Sequence, residues 1–135
     1  MVLDTALQFV NQVLGGSSAA NSGSDLSEHI YPLIYELHKA VPAMVTFIIP
    51  SVSAQLQSED EEVRYKAVAL LGRLFASQYA DYGDQLGKHF RDFLGRFEDV
   101  HPSVRKEMIN VASSIITKKP SLRAVVEGEV FCQHP

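Results

Sequence analysis

Cysteine is almost missing from this chain: Cys132 is the only one. No disulfide can form within it, and a reducing compartment is expected. No apolar run approaches the roughly 18 residues that a membrane-spanning helix needs. The opening stretch, "MVLDTALQFVNQVLGG", lacks the basic leader of a secretory signal. A soluble, intracellular chain without membrane association is therefore expected. A Lys/Arg-rich import tract is missing too, so composition leaves the compartment open. Tryptophan is absent. So is any sustained alternation of apolar and polar residues, which excludes convincing strands and leaves an all-helical fold.

What is present is ordinary for a globular domain. Apolar residues make up 46% and charged residues 21% of the 135 positions, too much apolar matter for disorder. The net charge of −4 argues against a nucleic-acid or anionic-membrane binder as a whole. The charge is unevenly placed. Residues 1–83 carry 4 basic and 9 acidic side chains, whereas residues 84–123 carry 8 basic and 5 acidic. The basic second half is either a contact surface for an acidic partner or a pair of ordinary solvated helix faces. Any direct DNA binding by it would be weak and steeply salt-dependent.

Helical spacing organises the chain. Leu3, Leu7, Val10 and Leu14 mark an N-terminal helix over residues 1–14, followed by a flexible Gly/Ser loop over 15–24. Ser24 or Asp25 can cap a helix over 25–40 that carries Leu26, Ile30, Leu33, Ile34 and Leu37 on one face. Pro32 predicts a kink or a late start there. Residues 42–76 read as a helix pair: Pro42 to about Gln57, kinked at Pro50, with Phe47 or Ile48, Val52 and Leu56 as its stripe, then a helix with Val63, Ala67, Leu70, Leu71 and Leu74 inward. A second pair covers 84–117, about Asp84–Phe97 and Pro102–Thr117. A further helix begins at 121–127 and is cut short by Gly128, leaving 128–135 as an irregular tail with the look of a truncation, splice or gene-model end.

The two pairs superimpose. Ile49 aligns with Phe90, Val52 with Phe93, Leu56 with Phe97, Val63 with Val104, Arg64 with Arg105, Val68 with Ile109, Leu74 with Ile115 and Phe75 with Ile116, each 41 residues apart. That period lies in the range of about 40–47 residues for HEAT and armadillo units. Each unit is an antiparallel helix pair that buries its apolar face only by stacking on a neighbour. Residues 25–127 are thus predicted to form a HEAT-type α-solenoid segment. Within it Leu56, Val63, Arg64, Phe97, Asp99, Val104 and Arg105 are repeat-structural positions. A chain ending here would expose Ile115, Ile116 and Val125, so self-association or marginal stability is expected, checked by light scattering and a thermal melt.

Chemistry is harder to find. His29 and His38 are nine residues apart, unlike the i, i+4 zinc pair of a helix. His89, His101 and His134 have no partners that complete a tetrahedral set, and Cys132 with His134 supplies two ligands at most. "SEDEE" (58–62) lacks the spaced carboxylates and central glycine of a calcium loop. Neither a nucleophile elbow nor a phosphate loop is present. No cofactor, metal or catalytic role is expected. Arg64 and Arg105 have two readings: they pin successive turns through carbonyls or acidic residues such as Asp60 and Asp99, or they form a cationic ridge for an acidic peptide. Lys88, Arg91, Arg96 and Lys106 are the better candidates for partner contact, with Tyr31, Tyr35, Tyr79 and Tyr82 as aromatic anchors.

One family matches an ordered series of these residues. "SDLSEH" (24–29), "LGRF" (94–97) with Asp99 and His101, Val104-Arg105, and Ile49-Pro50 followed by Leu56 resemble the N-terminal HEAT-repeat region of the sister-chromatid cohesion protein Pds-five family. The resemblance covers roughly residues 7–127. It implies a nuclear, chromatin-associated, non-enzymatic scaffold that regulates cohesin. Its implied partners are the kleisin subunit, short motifs of Wapl-type regulators and the cohesin acetyltransferase. The other reading is a tubulin-binding or other HEAT-repeat adaptor. Tubulin-binding arrays present tryptophan and basic residues on their turns, where this chain has "SEDEE" and "EDVH".

Overall fold

The computed structural model describes residues 23–133, and side chains over 29–129. The predicted helix at 1–14 and most of the Gly/Ser loop lie outside the described residues. Eight α-helices follow in order: α1 (Gly23–Ala40), α2 (Pro42–Val45), α3 (Ile49–Gln55), α4 (Glu61–Phe75), α5 (Tyr82–Gln85), α6 (Gly87–Leu94), α7 (Pro102–Lys118) and α8 (Arg123–Gln133). Short 3-10 segments at Gly95–Glu98 and Pro120–Leu122 lead into the turns before α7 and α8. No strand occurs among the described residues, which form an all-helical fold, as the periodicity predicts.

Helix boundaries depart from expectation where proline and glycine act differently from the simplest rule. α1 begins at Gly23, which places Ser24 and Asp25 in its first turn, a shift of the size by which helix ends commonly vary. It runs unbroken through Pro32, which is exposed. Pro50 breaks rather than kinks its helix. Lacking an N–H for the Thr46 carbonyl, it is tolerated in the first turn of a new helix, α3, after the turn at 46–48. That break settles the Phe47/Ile48 alternative: Ile48 is fully buried and Phe47 is 66% exposed. The helix expected from Asp84 starts at Tyr82 and is interrupted at Leu86 (φ −122°, ψ 54°). The tail expected to be irregular from 128 instead continues α8 to Gln133. Gly128 costs a helix about 1 kcal/mol relative to alanine, but it does not stop one, and no described glycine has positive φ.

Two layers result. The second helices of the units, α1, α4 and α7, lie side by side, and the first-helix segments α3 and α6 contact each other beneath them. The core between the layers holds Ile34, Ile48, Ile49, Val52, Leu56, Leu71, Leu74, Phe75, Phe90, Phe93, Val104, Met108 and Ile115. Phe75 meets Phe90 edge-on at 4.9 Å and Phe93 at 5.2 Å between ring centroids. Such pairs add about 0.5–1.5 kcal/mol each beyond their buried area. Gly72 sets how closely α4 approaches α7, since a Cβ there would lie 2.4 Å from Val111 Cβ.

The 41-residue alignment predicts register better than burial. Val68 is fully buried, but its counterpart Ile109 is 58% exposed. α4 has a neighbouring second helix on both sides, whereas α7 has α4 on one side and the shorter α8 beyond it. Ile115, expected to be uncovered, is fully buried, and Ile116 packs half-buried against the core. α8 and the 3-10 turn before it both contact α7. Only Val125 of the three stays well exposed, at 40%.

Candidate interaction surface

The turns between paired helices are built alike. Asp60 caps α4 by accepting the Glu62 amide at 2.9 Å, and the Asp60 amide donates to Ser58 Oγ at 3.2 Å. One period later His101 caps α7 by accepting the Ser103 amide at 3.3 Å, and the His101 amide donates to Asp99 Oδ1 at 2.9 Å. Asp99 thus stands where Ser58 stood. Arg64 Nη1 donates to the carbonyls of Ser58 and Glu59 at 2.8 and 3.1 Å, and Arg105 Nη1 donates to the Asp99 carbonyl at 2.6 Å.

Arg64 then reaches across. Its Nε donates to Asp99 Oδ2 at 2.8 Å and its Nη2 to Asp99 Oδ1 at 3.1 Å, a two-toothed fork between successive turns. Asp99 is 3% exposed and Arg64 7%. Burial alone would raise the Asp99 carboxyl. The Arg64 hydrogen bond, the His101 amide and the charges of Arg64 and Arg96 outweigh it and hold the pKa below its ordinary value. The same pairing raises Arg64. Other ties also join one unit to the next: Tyr82 Oη donates to the Pro42 carbonyl at 3.0 Å, and Lys119 Nζ to Asp81 at 2.6 Å. Around the turn Leu56 and Val104 are fully buried, while Val63 and Phe97 are half-buried.

The four cations singled out from sequence do not occupy one environment. Lys88 and Arg91 are exposed three residues apart on α6, and Lys106 is exposed on α7. Arg96 belongs to the turn network: its Nη1 donates to Asp99 Oδ2 at 3.2 Å and to the Leu56 carbonyl at 3.3 Å, and its Nε is buried without a partner. The tyrosines divide as well. Tyr82 is fully buried, its phenol pushed up to about 12 by burial, so it anchors the fold rather than a partner. Tyr79 is 50% exposed.

A cleft that the sequence did not reveal lies where α1, α4 and α7 end. It has a volume of about 570 Å3 and is lined by Tyr35, Lys39, Arg73, Tyr79, Ser114 and Lys118 among others. The Arg73 guanidinium lies 3.6 Å from the Tyr35 ring centroid. Behind it His38 is fully buried, with Nδ1 donating to the Tyr35 carbonyl and Nε2 2.9 Å from Ser77 Oγ. The Tyr79 amide donates to the same Ser77 oxygen at 3.0 Å. With Nδ1 donating to a carbonyl, Nε2 is left to accept the Ser77 hydroxyl. Every group is then satisfied by a neutral imidazole, and burial lowers the His38 pKa accordingly. A signal for this cleft did exist: Arg73 and Ser77 lie 41 residues before Ser114 and Lys118.

Stacked helix pairs tied turn to turn, with exposed cations and tyrosines on their surfaces, define an α-solenoid segment, a class that works through its surface. The profile of the family described as "Sister chromatid cohesion protein PDS5 protein" matches residues 4–133. The chain is 40% identical over 116 residues to sister chromatid cohesion protein PDS5 homolog A of Mus musculus and to that of Homo sapiens. It is 34% identical over 114 residues to PDS5 homolog B of Gallus gallus. Each match covers 84% of this chain and 8% of the relative. The chain therefore belongs to the PDS5 family of sister chromatid cohesion proteins, and it spans about 8% of the length of those relatives.

Proposed function

We propose that this chain is a non-catalytic, nuclear scaffold segment acting in sister chromatid cohesion, where it binds the kleisin subunit of cohesin and short motifs of Wapl-type regulators. The cohesin acetyltransferase is a third partner in this reading. The observation that carries it is the Arg64–Asp99 fork, which fixes successive units into one rigid array in a chain of the PDS5 family. A rigid array presents exposed cations at set positions, and Lys88, Arg91 and Lys106 are assigned to partner contact. Direct contact with nucleic acid is weak or absent.

Titration of the chain with purified kleisin subunit tests this. Measurable binding that falls in a Lys88→Glu/Arg91→Glu/Lys106→Glu variant of unchanged helix content supports it. Binding that is absent, or indifferent to all three charge reversals, overturns the assignment. Val125 and other exposed apolar side chains favour self-association of the isolated chain, which a single monomer mass by light scattering would contradict.

A further inference from the structure

We infer that the cleft at the ends of α1, α4 and α7 is a docking site for an acidic peptide segment. Among the described residues none of its lining side chains is Asp or Glu, while Lys39, Arg73 and Lys118 all contribute to it. Cations near helix C-termini are expected one at a time, because they complement the helix dipole. The dipole does not explain why three helices deliver theirs to one cleft walled by tyrosine. Nor are these cations consumed internally. Arg73 has an aromatic ring rather than a carboxylate as its neighbour, and no ion pair or hydrogen bond takes up Lys118 among the described residues. Lys39 meets Glu36 at 3.3 Å, but both side chains remain solvated, at 39% and 67% exposure.

The arrangement is also preorganised. The Arg73 guanidinium lies over the Tyr35 ring, a contact with the π face that does not use up its N–H donors. The Tyr35 ring is in turn backed by buried His38, their ring centroids 4.5 Å apart. Tyr79, half exposed on the cleft wall, supplies a rigid aromatic contact of the kind that dominates binding energy. The cleft volume of about 570 Å3 falls within the roughly 300–1,000 Å3 usual for binding clefts. A polypeptide fits better than a nucleic acid. Three cations offer too few phosphate contacts to hold a continuous backbone, whereas the tyrosine wall gives a peptide's apolar side chains a surface to cover.

This site uses different residues from those assigned to kleisin, so each can fail without the other. The test is fluorescence polarisation with a labelled peptide of four Glu-Glu-Leu repeats, its Gln-Gln-Leu counterpart, and a labelled oligothymidylate of equal length. The acidic peptide is expected to bind, and the glutamine peptide to bind at least about tenfold more weakly. Lys39→Gln/Lys118→Gln, which keeps the arginine–tyrosine stack, should weaken the acidic peptide, and adding Arg73→Gln should bring the loss to about tenfold or more. A Lys88→Gln/Arg91→Gln/Lys106→Gln chain of the same net charge as that triple variant should retain binding. No binding of the acidic peptide, equal losses in the two triple variants, or tighter binding of the oligothymidylate would each overturn the inference.

Discussion

Replacing Asp99 by alanine should be among the most damaging single changes available in this chain. The carboxylate accepts four hydrogen bonds, two from Arg64, one from Arg96 and one from the His101 amide. The side chains of Asp99 and Arg64 are 1% and 9% exposed, so solvent cannot substitute for the lost partner. Removing one member of a buried pair while leaving the other charged costs about 3–5 kcal/mol. Set against a total stability of about 5–15 kcal/mol for a domain, that is a large fraction.

Arg64→Met should cost less, because Asp99 keeps Arg96 and the His101 amide. The double variant should cost less than the two single changes together, by about 0.5–3 kcal/mol of coupling. Urea unfolding followed by far-ultraviolet circular dichroism at neutral pH measures all three. The cost should persist in salt, which screens exposed pairs far more than buried ones. A loss below about 1 kcal/mol for Asp99→Ala, the value of a surface pair, would refute the view that this fork binds unit to unit. So would additivity of the single variants to within about 0.5 kcal/mol.

Other perturbations probe the remaining ties. Gly72→Ala should destabilise by about 1–3 kcal/mol through overpacking, despite alanine's better helix propensity, since its Cβ would meet Val111 at 2.4 Å. Adding Val111→Ala should recover much of that loss, and denaturant midpoints will show whether it does. Tyr82→Phe removes the hydrogen bond to the Pro42 carbonyl and should cost about 0.5–1.5 kcal/mol, read as a lower melting temperature with unchanged helix content. For pH, burial lowers the His38 pKa below its ordinary 6.5, so the unfolded chain takes up a proton the folded chain refuses. Its stabilising contribution is complete above pH 6.5 and declines as pH falls through the lower folded value. His38→Gln should flatten that part of a stability–pH profile. Asp99 acts further down: its contribution is complete above the ordinary 3.8 and is lost as pH falls through its depressed folded value.

Much of this architecture was legible because helix pairs write their period into the sequence. The turn before α7 and the start at Pro102 follow from local signals alone: an acidic turn, then a proline suited to a first helical position. Breaks inside helices were less legible. Pro50 signals disturbance, but whether a chain bends or restarts depends on what packs on either side, and here Ile48 and Ile49 are both drawn into the core. Gly128 misled for a related reason: a glycine's helix cost is small enough for tertiary contacts to override. The surface was least legible. Lys39, Arg73 and Lys118 are far apart in sequence and meet only because three helices end at one edge.

The two sets of repeated positions behave in opposite ways, and the difference carries physical meaning. At the turn, Arg64 and Arg105 are the same residue, and each bonds the carbonyl six positions earlier. Arg64 is buried there and Arg105 is exposed, yet both close their turn through the same backbone acceptor position. In the cleft, Arg73 and Ser77 in one unit become Ser114 and Lys118 in the next. The cation moves by four residues, one helical turn, while staying on the same helix face and at the same edge. A stacked array needs identical closures to keep its register, but its open edge is free to vary from unit to unit. Chemistry specific to this segment should therefore lie at that edge. The ladder holds the scaffold in register, and the unequal side chains along the cleft give this part of it a surface of its own.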